Sequence, residues 1–203
     1  MKIYGDMISP YVRMCIVIAY ETGLAGELDL IDTDVTIANE NPDLAAMSPI
    51  GQIPVLATED SGFVHDSRVI VDYFCHRGGR QSLLDGLGGR YRILTLQAIA
   101  CGIADAAVFH RNENAQRPAE LHWQSLLDRQ RTRVMHGLDA LEDHWQAELA
   151  EVNVGSLSVA VVLSYLDFRF DAWAWRPERP RLSRFHAEFS ERQSMRATSL
   201  AKA

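Results

Sequence analysis

Three short stretches carry residue types that could do chemistry together: Ser9-Pro10-Tyr11-Val12-Arg13, Ser48-Pro49-Ile50-Gly51-Gln52-Ile53-Pro54-Val55-Leu56 and Asp66-Ser67-Arg68-Val69-Ile70. A serine directly before a proline marks a helix start. The hydroxyl can accept from an orphan amide of the first turn, and the missing N–H of proline costs nothing there. The same tip is the positive end of the backbone dipole, so a hydroxyl beside free amides suits an anion or a thiolate. Ser9 therefore reads either as a plain cap or as the centre of such a site. Pro54 follows β-branched Ile53 where a strand begins, and a residue that cannot donate to a ladder belongs at a strand start or edge. A cis Ile53–Pro54 bond would turn the amide and carbonyl of Ile53 outward, an edge that an extended peptide can pair with; a trans bond would make an ordinary turn. Asp66-Ser67 opens another helix, either as a routine start or as a place where Ser67 holds a ligand carboxylate and Asp66 an ammonium.

The elements that must position these residues follow from periodicity. Up to about residue 77 the period keeps switching. Ile3-Tyr4 is a short strand, and 10–22 is a helix with Val12, Cys15, Ile16 and Ala19 on one face, closed by Gly23. Residues 27–35 alternate, with Leu28 and Leu30 apolar and Asp29, Asp32 and Asp34 polar, which predicts a half-exposed strand. Residues 41–47 make a short helix, 55–57 and 63–64 are strands joined across Glu59-Asp60-Ser61-Gly62, and 67–76 is helical. The order βαβ, α, ββα predicts a small mixed sheet with helices on its faces over 1–77. Glycine pairs bracket a linker at 78–89. From Arg90 no strand pattern survives, so 90–203 reads as an all-helical domain. Its helices are predicted at 90–112, at 121–149, at the almost wholly apolar 157–168, and at 183–189 and 191–197. Asn153 is placed to cap the backbone N–H of Ser156 at the head of the buried helix.

Composition narrows the function. Of 203 residues 47% are apolar and 23% charged, enough for a real core. With 20 Lys plus Arg against 27 Asp plus Glu the net charge is −7, which disfavours nucleic acid and anionic membranes as partners. No unbroken apolar run reaches the ~20 residues that span a bilayer, and the first residues lack a secretory pattern, so a cytoplasmic location is expected. Three widely spaced cysteines, Cys15, Cys75 and Cys101, form no Cys-x-x-Cys and suggest buried thiols in a reducing compartment. The histidines never fall at i,i+3 or i,i+4, so no metal site is expected.

Taken together, the helix start at Ser9, the proline-led strand at Pro54 and the Asp66-Ser67 helix start form the pattern of a thioredoxin-like domain adapted to glutathione. Over essentially its full length the chain resembles the cytosolic glutathione S-transferases, and within them a bacterial subgroup with Ser-Pro-Tyr-Val-Arg near the start. The later Tyr165-Leu166-Asp167-Phe168-Arg169 is another mark of the resemblance. The resemblance implies an α+β, thioredoxin-like βαβαββα domain followed by an all-α bundle, glutathione as co-substrate, a small hydrophobic electrophile, and a homodimer. It makes Ser9 the catalytic residue, donating to the glutathione sulfur. Ser9 and Val12 stand where a thioredoxin has its two cysteines, so dithiol chemistry is unavailable there. Ile53, before a cis Pro54, would pair with the cysteinyl moiety. Asp66 and Ser67 would hold the γ-glutamyl group, and Tyr11 and Gln52 would line the site. The electrophile would lie between the domains against the helix from Arg90, with Asp105, Phe109 and His110 as candidates. Arg13 and Cys15 read as structural, Cys101 as a weaker candidate near the electrophile, and Trp173 and Trp175 as packing residues. A glutathione-dependent peroxidase or disulfide reductase and a non-catalytic scaffold are the rival functions. Ser156 in place of an acidic capping partner implies a weaker cap on the buried helix.

Overall fold

The computed structural model describes residues 1–200. They form two compact units, Met1–Leu84 together with the segment from Arg192 onward, and Asp85–Glu191.

In the first unit, β1 (Lys2–Tyr4), β2 (Asp29–Ile31), β3 (Val55–Thr58) and β4 (Gly62–Val64) make one sheet in the order β2-β1-β3-β4. β1 runs parallel to β2 and antiparallel to β3, which is antiparallel to β4. Three helices alternate with these strands: α1 (Pro10–Glu21), α2 (Pro42–Met47) and α3 (Ser67–Arg77). The predicted element order is the observed one. The strand predicted over 27–35 shrinks to three residues behind a 3-10 turn, Ala25–Glu27. As an edge strand β2 has a neighbour on one side only, and Leu30 is left 38% exposed. Residues 78–89, read as a linker, include a 3-10 turn at Gln81–Leu84 whose Leu83 and Leu84 are buried.

α1 is enclosed well beyond its predicted apolar face, with Pro10 and every residue from Val12 to Ala19 buried. The reason lies at the far end of the chain. The last helix, α9 (Gln193–Ala197), packs on α1 rather than in the helical bundle. Glu21 at the end of α1 accepts from Arg192 Nε (3.0 Å) and Nη2 (2.7 Å) and from the hydroxyl of Ser194 (2.5 Å). Burial alone would raise the Glu21 pKa, but these hydrogen bonds outweigh it and hold the carboxyl below its usual range. Arg13, 3% exposed, donates to Thr198 Oγ1 (3.2 Å) and to the Met195 carbonyl (3.3 Å), while its Nη1 has no partner among the described residues. Burial pushes the Arg13 guanidinium down to about 10. A base with a depressed folded pKa destabilises the fold wherever it is charged, here below about pH 10, and the penalty is relieved only above that.

The second unit is helical: α4 (Arg90–Gln116), α5 (Gln124–His144), α6 (Gln146–Leu149), α7 (Val154–Arg169) and α8 (Pro180–Ser190). The helix predicted over 121–149 breaks at Trp145, where the Gln146 side chain donates to the last-turn carbonyls of Leu141 (2.9 Å) and Glu142 (3.0 Å). α4 packs along α5 and α7. By length and composition alone α4 could cross a membrane, although polar residues interrupt its apolar stretch as the sequence expectation has it. Its Ile93, Leu96, Ala100, Ile103, Ala104 and Ala107 are buried, the pattern of a bundle's core helix. At the head of α7 the capping box is complete: Asn153 Oδ1 accepts from Ser156 N (2.8 Å) and Ser156 Oγ accepts from Asn153 N (3.0 Å). The neutral Ser156 thus returns the bond that a charged partner would, and the cap is further tied to the Glu148 carbonyl through Asn153 Nδ2 (2.8 Å).

Candidate glutathione site

Strand register brings the three stretches to one end of the sheet. Tyr4, the last residue of β1, pairs with Val55, so the turn that enters α1 leaves the sheet beside Pro54. Val64, the last residue of β4, pairs with Leu56, so Asp66 and Ser67 leave at the same end. The packing there is close. A Cβ placed on Gly5 (φ +152°) would lie 2.4 Å from Val12 Cγ2 and 3.4 Å from Ile53 Cβ, so only glycine lets the turn after β1 run beneath α1 and beside Ile53.

Ser9 is the N-cap of α1 and Pro10 its first residue. The Ser9 hydroxyl accepts from Val12 N over a long 3.5 Å, and its own proton is spent on none of the described residues. Both readings of Ser9 are therefore compatible: a cap that accepts and a donor still free to act. Tyr11 is half-buried in the first turn. The Ile53–Pro54 bond is cis, as is His65–Asp66. Pro54 is buried, Ile53 half-buried and Gln52 exposed, and neither the N–H nor the C=O of Ile53 has a hydrogen-bond partner among the described residues.

The Asp66-Ser67 pair is arranged more definitely than the sequence allowed. Asp66 is the N-cap of α3: Oδ1 accepts from Arg68 N (2.9 Å) and Oδ2 pairs with Arg68 Nη2 (2.7 Å). Burial would raise its pKa, yet the side-chain and backbone bonds from Arg68 hold it below the usual carboxylate range. The carboxylate read as waiting for an ammonium thus already has one cation. Ser67 is the first residue of α3, with its N–H unpaired among the described residues. The buried Cys15 thiol donates to the Ser67 carbonyl (3.5 Å), tying α1 to α3.

Asp105, Phe109 and His110 all lie on α4 of the second unit. Asp105 and Phe109 are exposed and one helical turn apart. His110 turns to an aromatic cluster, edge-on to Trp173 (centroids 4.9 Å) and Phe170 (5.7 Å), which stack on each other at 4.0 Å. Burial and then the Arg131 charge push the imidazole pKa down. Cys101, on the same helix, is buried. Among the described residues no group of His, Cys, Asp and Glu could hold a metal ion.

Comparison with known proteins fits this geometry. The model of the glutathione S-transferase N-terminal domain matches residues 8–77 and that of the C-terminal domain residues 124–188. The uncharacterized GST-like protein YibF of Escherichia coli K12 is 30% identical over 208 aligned positions, spanning 100% of both chains. The chain belongs to the glutathione S-transferase family. A glutathione transferase family member of Pseudomonas fluorescens Pf-5, solved with bound glutathione, is 37% identical over 99% of each chain, with a TM-score of 0.94. The structure of such a member from the same organism with bound S-(propanoic acid)-glutathione is 36% identical over 100% of each chain, at a TM-score of 0.89.

One constellation in this transferase-family chain imitates a different chemistry. Ser164 Oγ lies 2.9 Å from His186 Nε2, and Asp167 Oδ2 lies 3.6 Å from His186 Nδ1, an arrangement resembling a nucleophile, base and carboxylate. Arg176 Nη2, however, sits 2.7 Å from Nδ1 while pairing with Asp167, and a guanidinium can only donate. The neutral ring therefore carries its proton on Nε2 and donates to Ser164, whose own proton goes to the Ala160 carbonyl (3.0 Å). Proton flow runs opposite to what a general base needs, so the network is a brace between α7 and α8. Asp167 also takes Trp175 Nε1 (2.9 Å), which makes the Tyr165–Arg169 stretch a structural mark of the chain.

Sequence reasoning passed over Asp6. Its Oδ1 accepts from Ile8 N (2.6 Å) and Ser9 N (3.1 Å), and its carbonyl also accepts from Ser9 N (3.2 Å). An aspartate two and three residues before the amides it could bind is a legible turn signal, overshadowed here by the stronger Ser9-Pro10 pair.

Proposed function

We propose that this chain is a glutathione transferase that attacks a small hydrophobic electrophile with the glutathione thiolate. The observation that carries the reading is the Ser9 hydroxyl, capping α1 with its proton unspent, at the same sheet end as the unpaired backbone of Ile53 and the N–H of Ser67. In this reading the cysteinyl part of glutathione pairs with the Ile53 backbone ahead of Pro54. The γ-glutamyl carboxylate takes the Ser67 amide at the head of α3, and the ammonium approaches Asp66 on the side away from Arg68. Tyr11 and Gln52 flank the tripeptide. Ser9 then donates to sulfur, and donor and dipole together favour the thiolate, each unit of pKa depression corresponding to about 1.4 kcal/mol. Asp105, Phe109 and His110 are the α4 residues assigned to the electrophile.

Conjugation is favoured over thiol–disulfide exchange because no cysteine stands at the helix tip; Cys15 is buried and engaged with the Ser67 carbonyl. The thioether of glutathione bound by the Pseudomonas relative has the form of a conjugation product. We further place the chain in the bacterial subgroup bearing Ser-Pro-Tyr-Val-Arg, in the cytoplasm, and as a homodimer. Phe63 on the edge strand and Val69 in the first turn of α3, each 52% exposed, are apolar surface for a second copy.

Calorimetric titration with glutathione, followed by turnover of chlorodinitrobenzene and of an organic hydroperoxide, tests the reading. Binding with formation of the dinitrophenyl thioether is the expected result, from a particle of twice the 22.8 kDa chain mass by light scattering. Peroxide turnover alone would make the protein a peroxidase, and binding without either reaction a scaffold. Absence of glutathione binding would overturn the assignment altogether.

A further inference from the structure

The turn between β1 and α1 contains a carboxylate whose charge its hydrogen bonds do not require. Asp6 tethers Ser9 through Oδ1 and again through its carbonyl, and it tethers Ile8 as well. A neutral asparagine could accept the same two amides, because only one side-chain oxygen is used. The other carboxylates around α1 are offset by cations, Asp66 by Arg68 and Glu21 by Arg192, both at 2.7 Å. Asp6 has no cation within ion-pair distance among the described residues. Its Oδ1 is 3.1 Å from Ser9 N, and within one serine residue N and Oγ are separated by at most about 4 Å. The charge therefore lies within about 7 Å of the hydroxyl, and a sulfur hydrogen-bonded to that hydroxyl is about one bond length further.

We propose that Asp6 is a positioning residue for Ser9 whose uncompensated charge also sets the acidity of the bound thiol. The inference rests on the reading of Ser9 as donor to the glutathione sulfur. The Oδ1 tether fixes the backbone from which the hydroxyl projects. The negative charge opposes formation of a second negative charge on sulfur, so the thiol is less acidic than the helix tip and hydroxyl alone would make it. Such opposition is useful, because a thiolate loses intrinsic nucleophilicity as its pKa falls, and the most effective attacking thiol has a pKa near the ambient pH. At the upper bounds of 7–10 Å the coupling corresponds to a shift of about 0.3–1.7 pKa units, depending on how much water screens it.

The other titratable and charged groups on the elements around Ser9 are Tyr11, the Arg13 guanidinium and the Cys15 thiol of α1, and Asp66 with Arg68 at the head of α3. All of them are unchanged between wild type and Asp6→Asn, so the difference isolates Asp6. The experiment measures the thiol pKa of bound glutathione from its ultraviolet thiolate absorbance, together with the acid limb of kcat/KM, in wild type, Asp6→Asn, Asp6→Ala and Ser9→Ala. Asp6→Asn is expected to lower the thiol pKa by about 0.3–1.7 units with the glutathione KM kept within about threefold. Asp6→Ala, which removes the tether as well, is expected to raise the glutathione KM and lower kcat, and the asparagine variant restores both. Superimposable titration curves for wild type and Asp6→Asn would overturn the proposal while Ser9→Ala still moves the curve. If neither variant moves it, the donor reading of Ser9 fails as well.

Discussion

Ser9→Ala is expected to lower kcat/KM for glutathione conjugation at neutral pH by roughly 10- to 100-fold, the loss that follows when the thiol pKa rises by about one to two units. The argument separates the two duties of one hydroxyl. As a cap it accepts from Val12 N at 3.5 Å, the long end of hydrogen bonding, so its loss sits near the bottom of the ~0.5–2 kcal/mol range for N-caps. As a donor its proton is unspent, and removing it withdraws a bond made to thiolate more strongly than to thiol. The defect must then depend on pH. Below the wild-type thiol pKa both enzymes lose thiolate in parallel and the gap is constant. Between the two pKa values the variant recovers, and above both the rates converge. A mere cap would give a small loss that is the same at every pH, accompanied by a lower melting temperature. Ser9→Thr, which retains a hydroxyl at a position where threonine also caps, should recover most of the rate. A Ser9→Ala profile parallel to wild type across the whole range would reduce Ser9 to its capping duty.

What was legible in the sequence is what is decided within a few residues. The Ser9-Pro10 start of α1, the Asn153–Ser156 cap of α7 and the place of Pro54 at the start of β3 are local: a side chain reaching three residues on, or a ring without an N–H. The element order followed from the same local periods, and the resemblance supplied the assembly of the parts. What was not legible depends on residues far apart in the chain. Nothing near Glu21 announces Arg192, 171 residues away, so the sequence pattern groups the final helix with the bundle it follows rather than with α1, where it docks. The full burial of α1 was missed for the same reason, since its second face is covered by that returning segment. At Asp66 the sequence reads as a routine helix start or as a partner for a ligand ammonium, and nothing in that pattern singles out Arg68, the cation that the structure shows engaged. The break at Trp145 was also hidden, because apolar spacing continues across it while the Gln146 side chain takes over the open carbonyls.

In the second unit the largest single-residue effect on stability is expected at Gly155, in the first turn of α7. A Cβ there would meet Leu96 Cβ and Cγ at 2.8 Å and Cδ2 at 2.9 Å, against an ordinary carbon contact of about 3.5–4.0 Å. Leu96 is fully buried and cannot swing away, so α4 and α7 must separate along the contact that forms the heart of the bundle. Gly155→Val is therefore expected to cost about 3 kcal/mol, the upper end of overpacking, and to lower the melting temperature by roughly 6–12 °C. The same chain provides a control of opposite sign. Gly102, in the middle of α4, has nothing within 4 Å of its would-be Cβ, so Gly102→Ala gains helix propensity without a clash and should stabilise by about 0.5–1 kcal/mol. Two glycines in contacting helices thus differ by whether a neighbour occupies the space their missing side chain leaves. Leu96→Ala should in turn rescue part of the Gly155→Val loss, giving a coupling above ~1 kcal/mol in the double-mutant cycle. Additive losses, or a Gly155→Val melt indistinguishable from wild type, would mean that α7 does not approach α4 as closely as described. Because α4 also carries Asp105, Phe109 and His110, that distance fixes where the residues assigned to the electrophile stand within the bundle.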